Sequence, residues 1–310
     1  MRRVTCTQVV GFLLAFSAPA VLSFAIAVSA RSSRPALRTS RSSALDLELA
    51  GDLTGVSHGS VRYLTREDLL RLPQENYTVS DDANLIAPTK ISGVSLEELR
   101  NSVAGSAASD IVIAICVDRY RTSYPRDYIS SHHPLLVLLI NGQSPERWPK
   151  DSGGHGLDMG PYLISHPTFT PRFKILSHAD EPQIPWGVIR LEFHDEHALL
   201  GVIAPQGPRA QRPAVQAGYK IAQQNCFRCH NMGEQGGQKS DRPWTVLATW
   251  ASASPEYFAA YIRNPKSKNP KSDMPGFPAY DDATIAALNA YFRAFVESAA
   301  SRSVPHKAAQ

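Results

Sequence analysis

The pentapeptide Cys226-Phe227-Arg228-Cys229-His230 constrains this chain more than any other stretch of it. A Cys-x-x-Cys-His run reads as a c-type haem attachment site. Each thiol adds across one vinyl group of the porphyrin, and the next residue, a histidine, is then placed to ligate the iron axially. Only the sixth coordination position remains to be supplied. A redox Cys-x-x-Cys that happens to precede a histidine is one competing reading. A zinc site is another, but no second cysteine pair follows.

The chain has four methionines, Met1, Met159, Met232 and Met274. Met232 is two residues from His230 and cannot reach the opposite face of a ring that His230 ligates. Met274 stands in the proline-rich stretch 264–277, where a loop without regular structure is expected. Such a loop can hold a thioether over a ring face. A His/Met pair raises the haem potential and favours electron transfer over ligand activation. The expected site is therefore Cys226 and Cys229 as thioether anchors, with His230 and Met274 on the iron.

The flanks read as helices. Residues 213–225 run into the motif with Ala217, Gly218, Ile221 and Ala222 on one face. Ser254-Pro255-Glu256 is an N-cap followed by proline at the first helical position, opening a helix with Phe258, Tyr261 and Ile262. Asp281 or Asp282 caps a last helix, along which Ile285, Leu288, Phe292 and Phe295 recur at helical spacing. Gly218 would let the first and last helices cross closely. On these residues, with Gly218 eight before Cys226, the 264–275 loop and Tyr291, residues 214–298 resemble a class I cytochrome c domain. The resemblance implies an all-α wrap around one six-coordinate haem and one-electron transfer. Many relatives carry an aromatic four residues before the first cysteine; this chain has Ala222.

Charge marks the remaining boundaries. Residues 1–43 hold six arginines and no acid, residues 44–213 are net acidic, and residues 214–298 are mildly basic. Arg2 and Arg3, the apolar run 9–28 and Val28-Ser29-Ala30 read as a secretory signal peptide over 1–30. An uncleaved anchor is the alternative. Residues 31–43 read as a disordered Ser/Arg-rich linker, 206–213 as a linker and 299–310 as a disordered tail. The expected location is periplasmic. A net charge of +4 on 310 residues is too small to propose nucleic-acid binding.

The middle region, 44–205, reads as a β-rich α+β domain. Thr65 and Asp68 pair across the start of a short helix. The apolar runs 110–117 and 134–140 read as buried strands, the second ended by Asn141-Gly142. Ile189, Leu191 and Phe193 alternate with Arg190 and Glu192. The order of its motifs, from Leu64-Thr65 through 91–99, Cys116-Val117-Asp118-Arg119-Tyr120 and Gly160-Pro161, resembles the molybdopterin-binding domain of the sulfite oxidase family. That resemblance implies Cys116 as a molybdenum ligand, with Arg119, Arg121 and Arg126 available to a pterin phosphate. A buried structural thiol is the other reading of Cys116. His132, His133, His155, His194 and His197 read as solvated loop histidines before metal ligands.

Two functions follow. The first is an exported c-type cytochrome that passes single electrons through one haem, with the middle domain as a docking or scaffold module. Its partner would be an acidic protein docking near Arg263, Lys266, Lys268 and Lys271. The second is a fused oxidoreductase, with a molybdenum cofactor on Cys116 that oxidises a small substrate and hands electrons to its own haem.

Overall fold

The computed structural model describes residues 34–104, 109–152, 156–167 and 183–303, with side chains to 296. The expected signal peptide and His155 lie outside the described residues. Among those described, no helix is long and apolar enough to cross a membrane.

A β-rich region precedes a helical one. Nine strands form one sheet: β1 (Leu47–Gly51), β2 (Arg62–Leu64), β3 (Glu75–Val79), β4 (Thr89–Ser95), β5 (Ile111–Cys116), β6 (Arg121–Pro125), β7 (Leu135–Ile140), β8 (Tyr162–Ser165) and β9 (Trp186–His194). The main order is β2-β1-β9-β8-β7-β4-β3, with β5 paired to β9 and β6. Only β1 and β9 run parallel among these pairs. Three short helices, α1 (Arg66–Arg71), α2 (Leu96–Val103) and α3 (Arg126–His132), accompany the sheet. Thr65 caps α1 by accepting the Asp68 N–H at 3.1 Å, and its hydroxyl donates to the Asp68 carboxylate at 2.7 Å.

The apolar runs are continuous because both faces of their strands are buried. In β7, Leu136 and Leu138 join one core while Leu135 and Val137 join another, as a side-chain period of two requires. In β5, Val112, Ala114 and Cys116 face the main β core. Ile111 and Ile113 face the opposite way, into the core of the helical region. One strand thus belongs to two cores, and the described residues form one compact unit. Asn141 and Gly142 both take positive φ (50° and 73°) and turn the chain out of β7.

Two expectations need correction here. Ile189 does not join Leu191 and Phe193 in the core; Val188 does. The ladder shifts register opposite Ile115 and Cys116, and a bulge moves the next inward place by one residue. Residues 34–43 are not a free linker either. Arg38 forms a two-way backbone bridge with Tyr63, and Ser42 and Ser43 donate to the Asp46 carboxylate.

The helical region comprises α4 (Glu196–Leu200), α5 (Pro213–Ile221), α6 (Trp244–Ala253), α7 (Pro255–Arg263), α8 (Pro265–Lys268) and α9 (Asp282–Ser303). It is not wholly α: the hairpin β10 (Asn231–Met232) and β11 (Gln235–Gly236) follows the pentapeptide. The expected tail from 299 is helical to Ser303. The expected loop 264–277 begins as α8, because Asn264 Oδ1 caps it by accepting the Ser267 N–H. Asp281 is the residue that caps α9, through the Thr284 N–H at 2.8 Å. Ser254 stands at the start of α7, but its side chain makes no capping bond.

α5 crosses α9 at Gly218. A Cβ there would lie 2.0 Å from the Ala287 carbonyl oxygen and 2.8 Å from Tyr291 Cβ. Neither backbone nor a buried Cβ can yield that space cheaply. Gly218→Ala should therefore cost about 1–3 kcal/mol of stability through overpacking. Denaturant unfolding of the variant checks this; an unchanged midpoint contradicts the crossing.

Candidate functional site

The close crossing fixes where α5 ends, and its end presents the pentapeptide. After Ile221 the backbone widens into a single π-helical turn, Ala222–Cys226, a feature that recurs at functional sites. The His230 and Cys229 N–H groups donate to the Cys226 carbonyl at 3.0 and 3.2 Å. Phe227 turns into the helical core, its ring edge-on to Trp244 with centroids 5.3 Å apart. Ala222 is fully buried, so the missing aromatic leaves a small side chain in the packed face rather than a polar one.

Cys226, Cys229 and His230 line an apolar cavity whose walls include Leu247, Phe258 and Ile262. Met274 lines the same cavity. The four residues that the sequence singles out are therefore brought together. Neither cysteine is paired in a disulfide. Burial, reinforced by Cys229, pushes the Cys226 thiol up to about 12, and burial raises Cys229 too.

His230 Nδ1 lies 2.7 Å from the Arg242 carbonyl oxygen. A carbonyl only accepts, so Nδ1 carries the proton and Nε2 keeps its lone pair. Burial holds the imidazole below the usual histidine range, which leaves it neutral, as a metal ligand must be. An apolar cavity holding two thiols, a neutral imidazole and a thioether fits a covalently attached haem.

Several residues at this cavity were missed from sequence. α6 supplies Leu247 and Trp250 to its wall, and was not anticipated. Its buried Trp244, Leu247, Ala248 and Ala251 follow helical spacing, a signal that was there to be read. Trp244 Nε1 donates to Tyr291 Oη at 2.9 Å, and Tyr291 Oη donates to the Ile203 carbonyl at 2.6 Å. Arg242 lies with its guanidinium 4.8 Å from the Trp250 ring centre and 5.5 Å from that of Tyr261.

The pentapeptide also meets the β-rich region. The turn between β5 and β6 passes through Arg119 at φ 68°. The Arg121 N–H donates to the Arg228 carbonyl at 3.0 Å, the Gln238 N–H donates to the Arg119 carbonyl at 3.2 Å, and Lys239 pairs with Asp118. Gly237 lets the segment leading to Gln238 lie against the pentapeptide, since a Cβ there would sit 1.7 Å from the Arg228 carbonyl oxygen. A second cavity opens at this junction, with Cys116, Asp118, Tyr120, Trp186, Arg228 and Lys239 on its wall. Cys116 is buried, and burial together with Asp118 raises its thiol pKa. Arg119, Arg121 and Arg126 are not on that wall. Among the described residues the wall offers the Cys116 thiol and two cations, Arg228 and Lys239, both from the helical region, a poor cradle for a pterin phosphate and a molybdenum ion.

The other candidates scatter. The His132 ring lies tilted against Tyr128, centroids 4.5 Å apart, and neighbours buried His166. His133 ends α3 in the left-handed region. His194 contacts Glu192 at 3.2 Å, and His197 is exposed. No group of three or more His, Cys, Asp or Glu among the described residues is placed to hold a metal ion. Lys266, Lys268 and Lys271 are exposed. Arg263 is not free to join them, because it pairs with Asp282 at 2.7 Å and donates to the Tyr280 carbonyl.

Residues 213–292 match the family model described as cytochrome C oxidase, cbb3-type, subunit III. No curated protein matches the chain. Among solved structures, the crystal structure of the sulfane dehydrogenase SoxCD from Paracoccus pantotrophus is similar at 17% identity with a TM-score of 0.34. That likeness covers 51% of this chain and only 40% of the other. The C-terminal part of the chain is a cytochrome c domain, and a cytochrome c domain implies haem c and electron transfer.

Proposed function

We propose that the protein is an exported, periplasmic electron-transfer protein carrying one haem. Cys226 and Cys229 would anchor it, and His230 and Met274 would ligate its iron. The observation that carries this reading is the convergence of those four side chains on one apolar cavity. When bound, the haem supplies a one-electron couple whose potential a His/Met pair raises. The chain does the rest. The bond from His230 to the Arg242 carbonyl sets the ring's tautomer and orientation. Leu247, Phe258 and Ile262 exclude water from the site. The β-rich region acts as a scaffold that holds the pentapeptide through the Arg121 N–H and the segment at Gln238 through the Arg119 carbonyl.

The expected partner is an acidic protein that docks on Lys266, Lys268 and Lys271, with Arg263 committed to Asp282. Their charges would speed encounter, so the rate of electron transfer to such a partner should fall as salt rises. A rate indifferent to ionic strength contradicts the patch.

A second reading is a fused oxidoreductase with a molybdenum cofactor on Cys116. What favours it is the junction cavity, which places Cys116 beside the pentapeptide's Arg228. The poor cradle weighs against it, and the electron carrier is the reading the residues support best. Elemental analysis of protein matured in its native host separates the two. Iron without molybdenum is expected; stoichiometric molybdenum with iron favours the oxidoreductase. Independently, Met274→Ala should abolish the low-spin His/Met spectrum while leaving haem attached. An unchanged spectrum would assign the sixth ligand elsewhere.

A further inference from the structure

Arg242, Tyr261 and Ser272 come from three separate segments and meet beside the haem cavity. Arg242 Nη1 donates to Tyr261 Oη at 3.0 Å. Tyr261 Oη and Ser272 Oγ share a hydrogen bond of 3.0 Å. Arginine cannot accept, so Tyr261 accepts from Arg242, and either hydroxyl can donate in the bond that Tyr261 shares with Ser272. Ser272 Oγ also accepts from the Met274 N–H at 3.3 Å. At the other end, the carbonyl of the same Arg242 accepts the His230 Nδ1 proton at 2.7 Å. Hydrogen bonds at both ends of Arg242, joined through its side chain, therefore link the imidazole on one wall of the cavity to the backbone of the methionine. The rings of Trp250 and Tyr261 hold the guanidinium in the middle of that chain.

We propose that Arg242, Tyr261 and Ser272 form a positioning bridge that sets how firmly Met274 holds the sixth coordination position. The inference rests on the reading of His230 and Met274 as the iron ligands, and goes beyond it by assigning what fixes the weaker of the two. Met274 lies outside regular structure, between α8 and α9. Its placement depends on a few local bonds, and Ser272, itself buried, makes one of them. Tyr261 lines the cavity on a helix that is packed into the helical core through Phe258 and Ile262. The bridge thus ties a loop to a rigid element and, through Arg242, to the segment that orients the opposite ligand.

Imidazole in solution competes with Met274 for the iron and reads the strength of its hold. The test uses the full-length haem-loaded protein as wild type, Tyr261→Phe, Ser272→Ala and the double variant. Tyr261→Phe keeps the ring against Trp250 and removes only the hydroxyl. Each single variant should bind imidazole about five- to tenfold more tightly, the effect of losing one buried hydrogen bond. The double variant should match the stronger single effect rather than multiply them, because the two residues act in one chain. Haem content should not change. Wild-type imidazole affinity in both singles, or effects that multiply in the double, overturns the bridge. A wild-type chain with no attached haem instead overturns the reading of the site itself.

Discussion

The crossing of α5 over α9 at Gly218 is the constraint from which the site follows. The two backbones approach so closely that a single added carbon would meet the Ala287 carbonyl oxygen at 2.0 Å. That contact fixes the axis of α5 and so the position of the π turn that delivers Cys226. The same crossing places Tyr291, whose hydroxyl links Trp244 of α6 to the Ile203 carbonyl. α6 in turn lends Leu247 and Trp250 to the cavity. One small residue therefore sets the geometry of the wall that carries the thiols and of the wall facing them.

The β-rich region is more than an attachment. β5 gives alternate side chains to two cores, Val112 and Ala114 to one and Ile111 and Ile113 to the other. The turn that follows it bonds directly to the backbone of Arg228, inside the pentapeptide. A displacement of this turn would be felt at Cys229 one residue later. The two regions are mechanically linked at the point where the chemistry sits, and the junction cavity with Cys116 lies on that link.

What was legible in the sequence was what depends on near neighbours. The spacing of Cys226, Cys229 and His230, the caps at Thr65 and Asp281, the stripe on α9 and the small Gly218 all act within a few residues or one helix face. What was not legible depends on long-range pairing. Nothing local in residues 47–51 says that they run parallel to β9. Nothing near Arg242 says that its carbonyl faces His230 or that its guanidinium meets Trp250. Arg263 reads as one more surface cation until α9 brings Asp282 against it. Ile189 follows the alternation of its strand, and only the register shift against β5 turns it from the core.

The central claim is covalent attachment of one haem at Cys226 and Cys229. Mass spectrometry of the denatured protein, matured in a host that attaches haem, tests it most directly. The expected mass is that of the polypeptide plus one haem, retained after unfolding and lost on replacing both cysteines by alanine. A bare polypeptide mass from the same host would contradict it.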